Sequence, residues 1–304
     1  MNIEKPIFII GVPRSGTTIF YELFSKHPNI AWLSGLCNKF PNHPEISRFF
    51  LKAIDIPVAG KILLQLIKPG EIYDFWENYN KGFRRPIRDL GASDVTNKTR
   101  EKLRLAFSKV LTEKRNRLMV KVTGWPRLGF IKEIFPGAKF IHFLRDGRAV
   151  ANSLINEPWW WGWRGPQNWR WGDLPSPYQR EWDSHQRSFI VLAGIQWKML
   201  LDALEETKQD VAQDSFLQVK YEELCRQPVS AFEKIANFSE LPWNESFAST
   251  IEKSNLRSTN ERWQQELTEA QISSLNKVLQ THLIRYGYAK AVSLVQKALN
   301  GVNS

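Results

Sequence analysis

Cysteine is scarce: among 304 residues only Cys37 and Cys225 are cysteine. Two such residues make neither a disulfide framework nor a metal quartet, and both read as small buried apolar residues. Long hydrophobic runs are lacking too, and nothing approaches the ~20 apolar residues of a membrane span. The first apolar run, Ile7–Ile10, is too short for a secretory leader and follows Glu4. A soluble, cytoplasmic protein is therefore the default expectation. Internal repeats and low-complexity tracts are also missing, which excludes solenoids and disordered arrays.

Positive charge and tryptophan, by contrast, are in surplus. Lys and Arg number 42 against 31 Asp and Glu, a formal charge of +11. Such a surplus suits nucleotides, nucleic acid, sulfated or phosphorylated polymers or an anionic membrane. The charges are scattered and no nucleic-acid recognition motif is present, so nucleic acid is not the expected partner. Tryptophan occurs 13 times, and much of it crowds between Trp159 and Trp182. A hydrophobic fraction of 42% is enough for a sizeable core.

Strands and helices alternate. Pro6–Ile10 reads as a buried strand and Thr17–Lys26 as the helix after it. Residues 36–62 read as loop with short helices, and 99–117 as a basic amphipathic helix. Leu118–Val122 reads as a second strand and Pro126–Phe135 as a short helix. Lys139–Leu144 reads as a third strand, followed by a helix to about Asn156. Residues 157–180 show neither period and read as an ordered excursion that buries its indoles. Phe189, Ala193, Trp197, Leu200 and Leu204 recur at helical spacing. A further strand lies within "DSFLQVKYEEL", and Pro228–Phe238 is a helix. Thr268 and Gln271 form a capping box for a last helix that Gly287 stops. This alternation predicts an α/β fold with a mostly parallel sheet.

The turn Gly11-Val12-Pro13-Arg14-Ser15-Gly16-Thr17-Thr18 joins the first strand to the first helix. Backbone N–H groups at a helix N-terminus form an anion site, and the glycines let the chain approach a phosphate closely. Arg14 adds a forked cation, and Thr17 and Thr18 add hydroxyls. The frame is that of a P-loop, but Thr17 stands where its lysine belongs. With no clear acidic Mg²⁺ ligand after a second strand, triphosphate chemistry is disfavoured, and a donor with one 5′-phosphate fits better. A second anion site is carried by "FIHFLRDGRAVANSL". Arg145 follows the strand end, and Ser153 lies nearly two turns into the next helix. Ligands collect at the carboxyl ends of parallel strands, so the two sites could hold one nucleotide at both ends.

Together, Pro13–Thr18 and Arg145-Asp146-Gly147-Arg148 through Ser153 resemble the PAPS-dependent sulfotransferases, most of all the bacterial and tyrosyl-protein branch. The resemblance runs from about Phe8 to Trp263. It implies a P-loop NTPase-like, three-layer α/β fold over residues 1–304, one domain with a Trp-rich insertion at about 157–182 and a C-terminal helical segment at about 265–300. It implies transfer of a sulfuryl group from 3′-phosphoadenosine 5′-phosphosulfate (PAPS) to a hydroxyl or amine, without a metal. Pro13, Arg14, Ser15, Gly16, Thr17 and Thr18 would hold the 5′-phosphosulfate, and Arg145 and Ser153 the 3′-phosphate. Tyr221 would lie near adenine, and Arg257 and Ser258 belong to a segment that folds over the nucleotide. Lys121 would sit near the bridging oxygen, with Arg14 beside it in catalysis.

The general base is not carried over. The tyrosyl-protein branch has a glutamate about twenty residues after its loop arginine, and here that place falls at Ser34-Gly35. The cytosolic branch has a histidine soon after its lysine, where this chain has Val122, Thr123 and Gly124. His43, Glu45, Asp94 and His185 remain, and Glu45 or His43 is the choice. Trp159, Trp160, Trp161, Trp163, Trp169 and Trp171 form either an acceptor surface, for a small molecule, glycan or lipid, or a mini-core. A kinase-like phosphotransferase or an inactive nucleotide binder is the competing expectation.

Overall fold

The computed structural model describes residues 2–290, apart from 57–59, 61–62, 64–66 and 86. Its centre is a five-stranded, all-parallel sheet in the order β2-β3-β1-β4-β5. The strands are β1 (Ile7–Gly11), β2 (Ile30–Ala31), β3 (Arg117–Thr123), β4 (Lys139–Leu144) and β5 (Phe216–Lys220). Parallel strands covered on both faces read as unbroken apolar runs, and β1 and β4 are buried at every position.

Alternate side chains serve opposite faces. Phe8 and Phe140, paired across β1 and β4, meet each other, and Phe8 meets Phe135 on one face. On that side Phe75, Trp76, Phe83, Phe107 and Phe130 build an aromatic layer. Phe143, an odd number of residues from Phe140, faces the other way. There it meets Phe20 of α1 (Thr17–Phe24), which packs on Phe24 and Phe232. The sheet is thus the middle of three layers.

Most predicted elements are present within a residue or two. The helix Pro228–Phe238 and strand β4 match end to end, and Thr268 opens the last helix (Glu269–Arg285) with a complete capping box. Residues 291–304, the end of the expected C-terminal segment, lie outside the described residues. Two expectations fail. The basic helix stops at Ser108 rather than running to 117. Arg115 is 3% exposed, forks onto Asp55 and donates to the His27 and Ile30 carbonyls, so it fixes a loop instead of facing solvent. Residues 157–180 are not wholly aperiodic, because a helix runs from Ser176 to Ser184.

Register positions the site. Gly11, at the end of β1, pairs with Thr123 of β3 and Phe143 of β4, so the carboxyl ends of three strands open at one level. Gly11 has φ +155°, and a Cβ there would stand 2.7 Å from the Phe143 carbonyl oxygen. The Phe143 backbone is held in the sheet and cannot give, and the Thr17 methyl stands 3.4 Å away. Gly11→Ala should therefore destabilise the fold by about 2 kcal/mol, read as a lower urea midpoint at unchanged m-value.

Candidate functional site

The β1–α1 turn is built for close approach. Ser15 donates its N–H to the Val12 carbonyl at 3.2 Å, and Gly16 caps α1 with φ +89°. A Cβ on Gly16 would meet the Tyr221 ring at 2.4 Å, so glycine lets that ring lie on the loop. Arg14 holds φ +74°, a conformation that costs a non-glycine residue energy and is kept where the surroundings impose it. No side chain caps α1, which leaves first-turn N–H groups for an anion. The Ser15 hydroxyl is buried and has no hydrogen-bond partner among the described residues.

The β4 turn lies alongside. Asp146 caps the helix Gly147–Ile155 by accepting from the Arg148 N–H, and it pairs with the Arg148 guanidinium at 2.6 Å. Arg145 is 6% exposed. It donates to the Arg14 carbonyl at 3.0 Å, the Thr259 carbonyl at 3.1 Å and the Asn260 amide oxygen at 3.2 Å. Its guanidinium stacks 4.4 Å from the Tyr221 ring centre. Burial pushes its pKa below the usual arginine value. Arg14 donates Nε–H to Ser153 Oγ at 2.9 Å and pairs with Glu157 at 2.9 Å. Arg14, Arg145 and Ser153 are thus brought together, all three lining one cavity.

Lys121 projects from β3 and is 6% exposed. Its Nζ donates to Thr18 Oγ1 at 2.7 Å and lies 3.2 Å from Glu71 Oε1. Thr123 Oγ1 donates to the same Glu71 oxygen at 2.8 Å, and Tyr73 Oη lies 2.8 Å from Thr123 Oγ1. Burial first, then the Glu71 charge, raises the Tyr73 phenol well above its ordinary pKa.

A cavity of about 590 Å³ is lined by the partners of Lys121, namely Thr18 and Glu71, and by Tyr73 and Thr123. Pro13, Arg14, Gly16, Thr17, Thr18 and Arg145 line one end, with Tyr221 and Arg257; Glu71, Tyr73, Arg170 and Trp171 are also in its wall. A second cavity of about 530 Å³ adjoins it across Arg14, Arg145 and Thr259 and contains Ser153. Among the described residues no group of three or more His, Cys, Asp or Glu could hold a metal ion.

Several sequence expectations land elsewhere. His43 and Glu45 do not line either cavity; they are 62% and 47% exposed and pair with each other at 3.0 Å. Asp94 is tied to Arg88, and His185 borders a separate depression. Ser258 is exposed and bonds only the Asn260 N–H, whereas its neighbour Thr259 reaches Arg145 and Tyr221. The tryptophans divide. Trp160, Trp169 and Trp171 are buried, with Trp160 donating to Gln196 at 2.8 Å, while Trp161 and Trp163 are exposed. Trp159 and Trp171 line the larger cavity.

Glu71 was missed, and its position explains why. The Gly70 N–H donates to the Leu33 carbonyl, Pro69 bridges Ser34, and a Cβ on Gly70 would stand 2.8 Å from the Gly35 Cα. A distant segment thus lays Glu71 against Ser34-Gly35, the place where the resemblance puts a glutamate. The only local signal is an acidic residue after the Lys68-Pro69-Gly70 turn.

A sequence profile described as "Sulfotransferase family" matches residues 6–245. Among curated proteins, the Drosophila melanogaster protein-tyrosine sulfotransferase is 26% identical over 81% of this chain and 40% of its own length. The Danio rerio protein-tyrosine sulfotransferase 1 is 24% identical over 81% of this chain and 56% of its own. The chain spans about half the length of the curated relatives it matches. A sulfotransferase structure from Mycobacterium avium superposes with TM-score 0.57 at 18% identity, covering 93% of this chain and 77% of that one. One from Mycobacterium tuberculosis gives 0.52 at 13% identity, over 91% and 76%. These two likenesses concern the fold. With the profile spanning most of the residues that build the site, the chain belongs to the sulfotransferase family.

Proposed function

We propose that this protein transfers a sulfuryl group from PAPS to a hydroxyl or amine. The observation that carries the reading is the Lys121 ammonium, held between Thr18 of the phosphate loop and the Glu71 carboxylate. The donor-side residues fit a bisphosphate. The Ser15 hydroxyl is buried without a partner, the α1 N–H groups are uncapped, and Arg14 and Arg145 face adjoining cavities. The loop from Pro13 to Thr18 would hold the 5′-phosphosulfate, Arg145 and Ser153 the 3′-phosphate, and Tyr221 the adenine. Arg257, in the cavity wall, would cover the nucleotide; Ser258 is the weaker part of that assignment.

When bound, the donor supplies the sulfuryl group. Glu71 accepts the proton of the acceptor hydroxyl, whose oxygen forms the new S–O bond. Lys121 and Thr18 stabilise the charge left on the 5′-phosphate as the bridging S–O bond breaks. Thr123 and Tyr73 fix the carboxylate through hydrogen bonds. Positioning and preorganised charge supply most of the rate in such transfers.

Calorimetry with 3′-phosphoadenosine 5′-phosphate (PAP) should give micromolar binding, roughly −8 kcal/mol, with ATP–Mg²⁺ far weaker. Arg145→Ala should lose ~2 kcal/mol and with it the preference over adenosine 5′-phosphate. Equal affinity of the wild type for the two adenosine nucleotides would remove the second anion site.

In turnover, Glu71→Gln should lower kcat by about 10²–10⁴-fold and Lys121→Ala by about 10²–10³-fold. Both should bind PAP within a few-fold of wild type, whereas His43→Ala and Glu45→Ala should leave kcat unchanged. Full activity of Glu71→Gln would return the base to another residue.

A further inference from the structure

The wall beyond Glu71 carries a cation that the transfer step does not use. Arg170 comes from the Trp-rich insertion and lines the larger cavity. Its guanidinium carbon lies 5.1 Å from the centre of the Tyr73 ring and 5.8 Å from that of Trp171. Its side-chain hydrogen bond among the described residues is a long one, 3.4 Å, to the Arg84 carbonyl. Its Nε is buried with no partner among the described residues, and so is Nε1 of the adjacent Trp171. Buried charged groups are ordinarily paired, and a guanidinium presents a fork that matches an oxyanion.

The sequence of contacts places this cation on the acceptor side. Thr18 touches Lys121, Lys121 touches Glu71, Glu71 touches Thr123, Thr123 touches Tyr73, and Tyr73 lies against Arg170. Arg14 and Arg145 stand at the opposite, phosphate-loop end of that relay. Arg170 lies beside the Tyr73 and Trp171 rings, and Trp159 and Ile19 also line the same cavity. Indole faces accept planar or apolar bodies. Gly124 keeps Trp171 in place, since a Cβ there would meet its ring at 2.3 Å.

Resting on the sulfotransferase reading, we infer that the acceptor is a small planar hydroxy compound bearing an acidic group, which Arg170 binds while the hydroxyl is presented to Glu71. The acidic group is a carboxylate, phosphate or sulfonate, which share the oxyanion that a guanidinium fork recognises.

The test is calorimetry on the PAP-saturated protein with matched phenols: 4-hydroxybenzoate, 4-hydroxybenzamide, 4-hydroxyphenyl phosphate and 4-hydroxybenzenesulfonate. At least one anionic phenol should bind about tenfold or more tightly than the amide, and the ranking of the three anions identifies the group. Arg170→Gln should remove that preference and Arg170→Lys keep part of it, with PAP affinity in both variants reporting an intact fold. Equal binding of charged and neutral phenols, no binding of any anionic phenol at millimolar concentration, or an unchanged preference in Arg170→Gln overturns the assignment. PAP binding is measured first, so loss of the sulfotransferase reading shows separately. The phenol series without PAP then still decides the role of Arg170.

Discussion

The close approach of β1 to β4 at Gly11 is the constraint on which the site depends. Parallel strands in this register end side by side, and all the functional loops must leave from that one edge. The Phe143 carbonyl occupies the space that a side chain on residue 11 would need. The chain can therefore turn at once into Val12–Gly16 and present α1 end-on to the cavity. A bulkier residue would push the phosphate loop away from Arg145, which grips the loop through the Arg14 carbonyl. The same edge sets Lys121 two residues before the end of β3, where its Nζ meets Thr18 across the β1–β3 pairing.

Charge is distributed along this edge so that each basic group has a partner it can exchange. Arg14 pairs with Glu157, Lys121 with Glu71, and Arg145 with carbonyl and amide oxygens. A bisphosphate bound as proposed would compete with protein oxygens already in place. The cations are thereby preorganised, and net affinity is only the difference between two sets of bonds. Positive-φ strain at Arg14 fits the same picture, since the loop geometry is imposed by Gly16, Tyr221 and Arg145 rather than chosen by residue 14. Without that imposed conformation the Arg14 carbonyl could not face Arg145.

The donor half of the site was legible because its signals are local. Gly11 and Gly16 around one turn, and Arg145 with Ser153 across another, each lie within a dozen residues. A strand followed by a helix is enough to aim them. The acceptor half was not legible, because it is assembled at long range. Glu71 is brought to Ser34-Gly35 by the Leu33–Gly70 hydrogen bond and the Ser34–Pro69 bridge, and no period in the sequence announces those contacts. The two-residue strand β2 is too short to show alternation, so the neighbour it gives β3 was invisible as well. Arg115 made the reverse error, extending a basic helical pattern into what is a buried ion pair with Asp55. At the expected nucleotide-covering segment Ser258 is exposed, and its neighbour Thr259 turns inward to Arg145 and Tyr221.

The tryptophans show why neither reading of the insertion could win alone. Trp160 is locked by Gln196 beneath it, and a Cβ on Gly162 would strike its ring at 2.3 Å, so this part is scaffold. Trp171 is equally buried, yet its ring closes the cavity against Gly124 and carries Arg170 beside it. A rigid aromatic base lets the neighbouring side chains hold a fixed shape, which is what discrimination between acceptors requires. In the proposed reading the donor end rests on the strand-end loops and on side chains of the helices and loops beyond them, Arg14, Ser153 and Tyr221 among them. The proposed acceptor end combines Glu71 and Tyr73 with Arg170 of the insertion, a surface segment that can change while the sheet beneath it stays the same. The physical division between the two halves of the cavity is thus a division between what the register dictates and what a loop supplies.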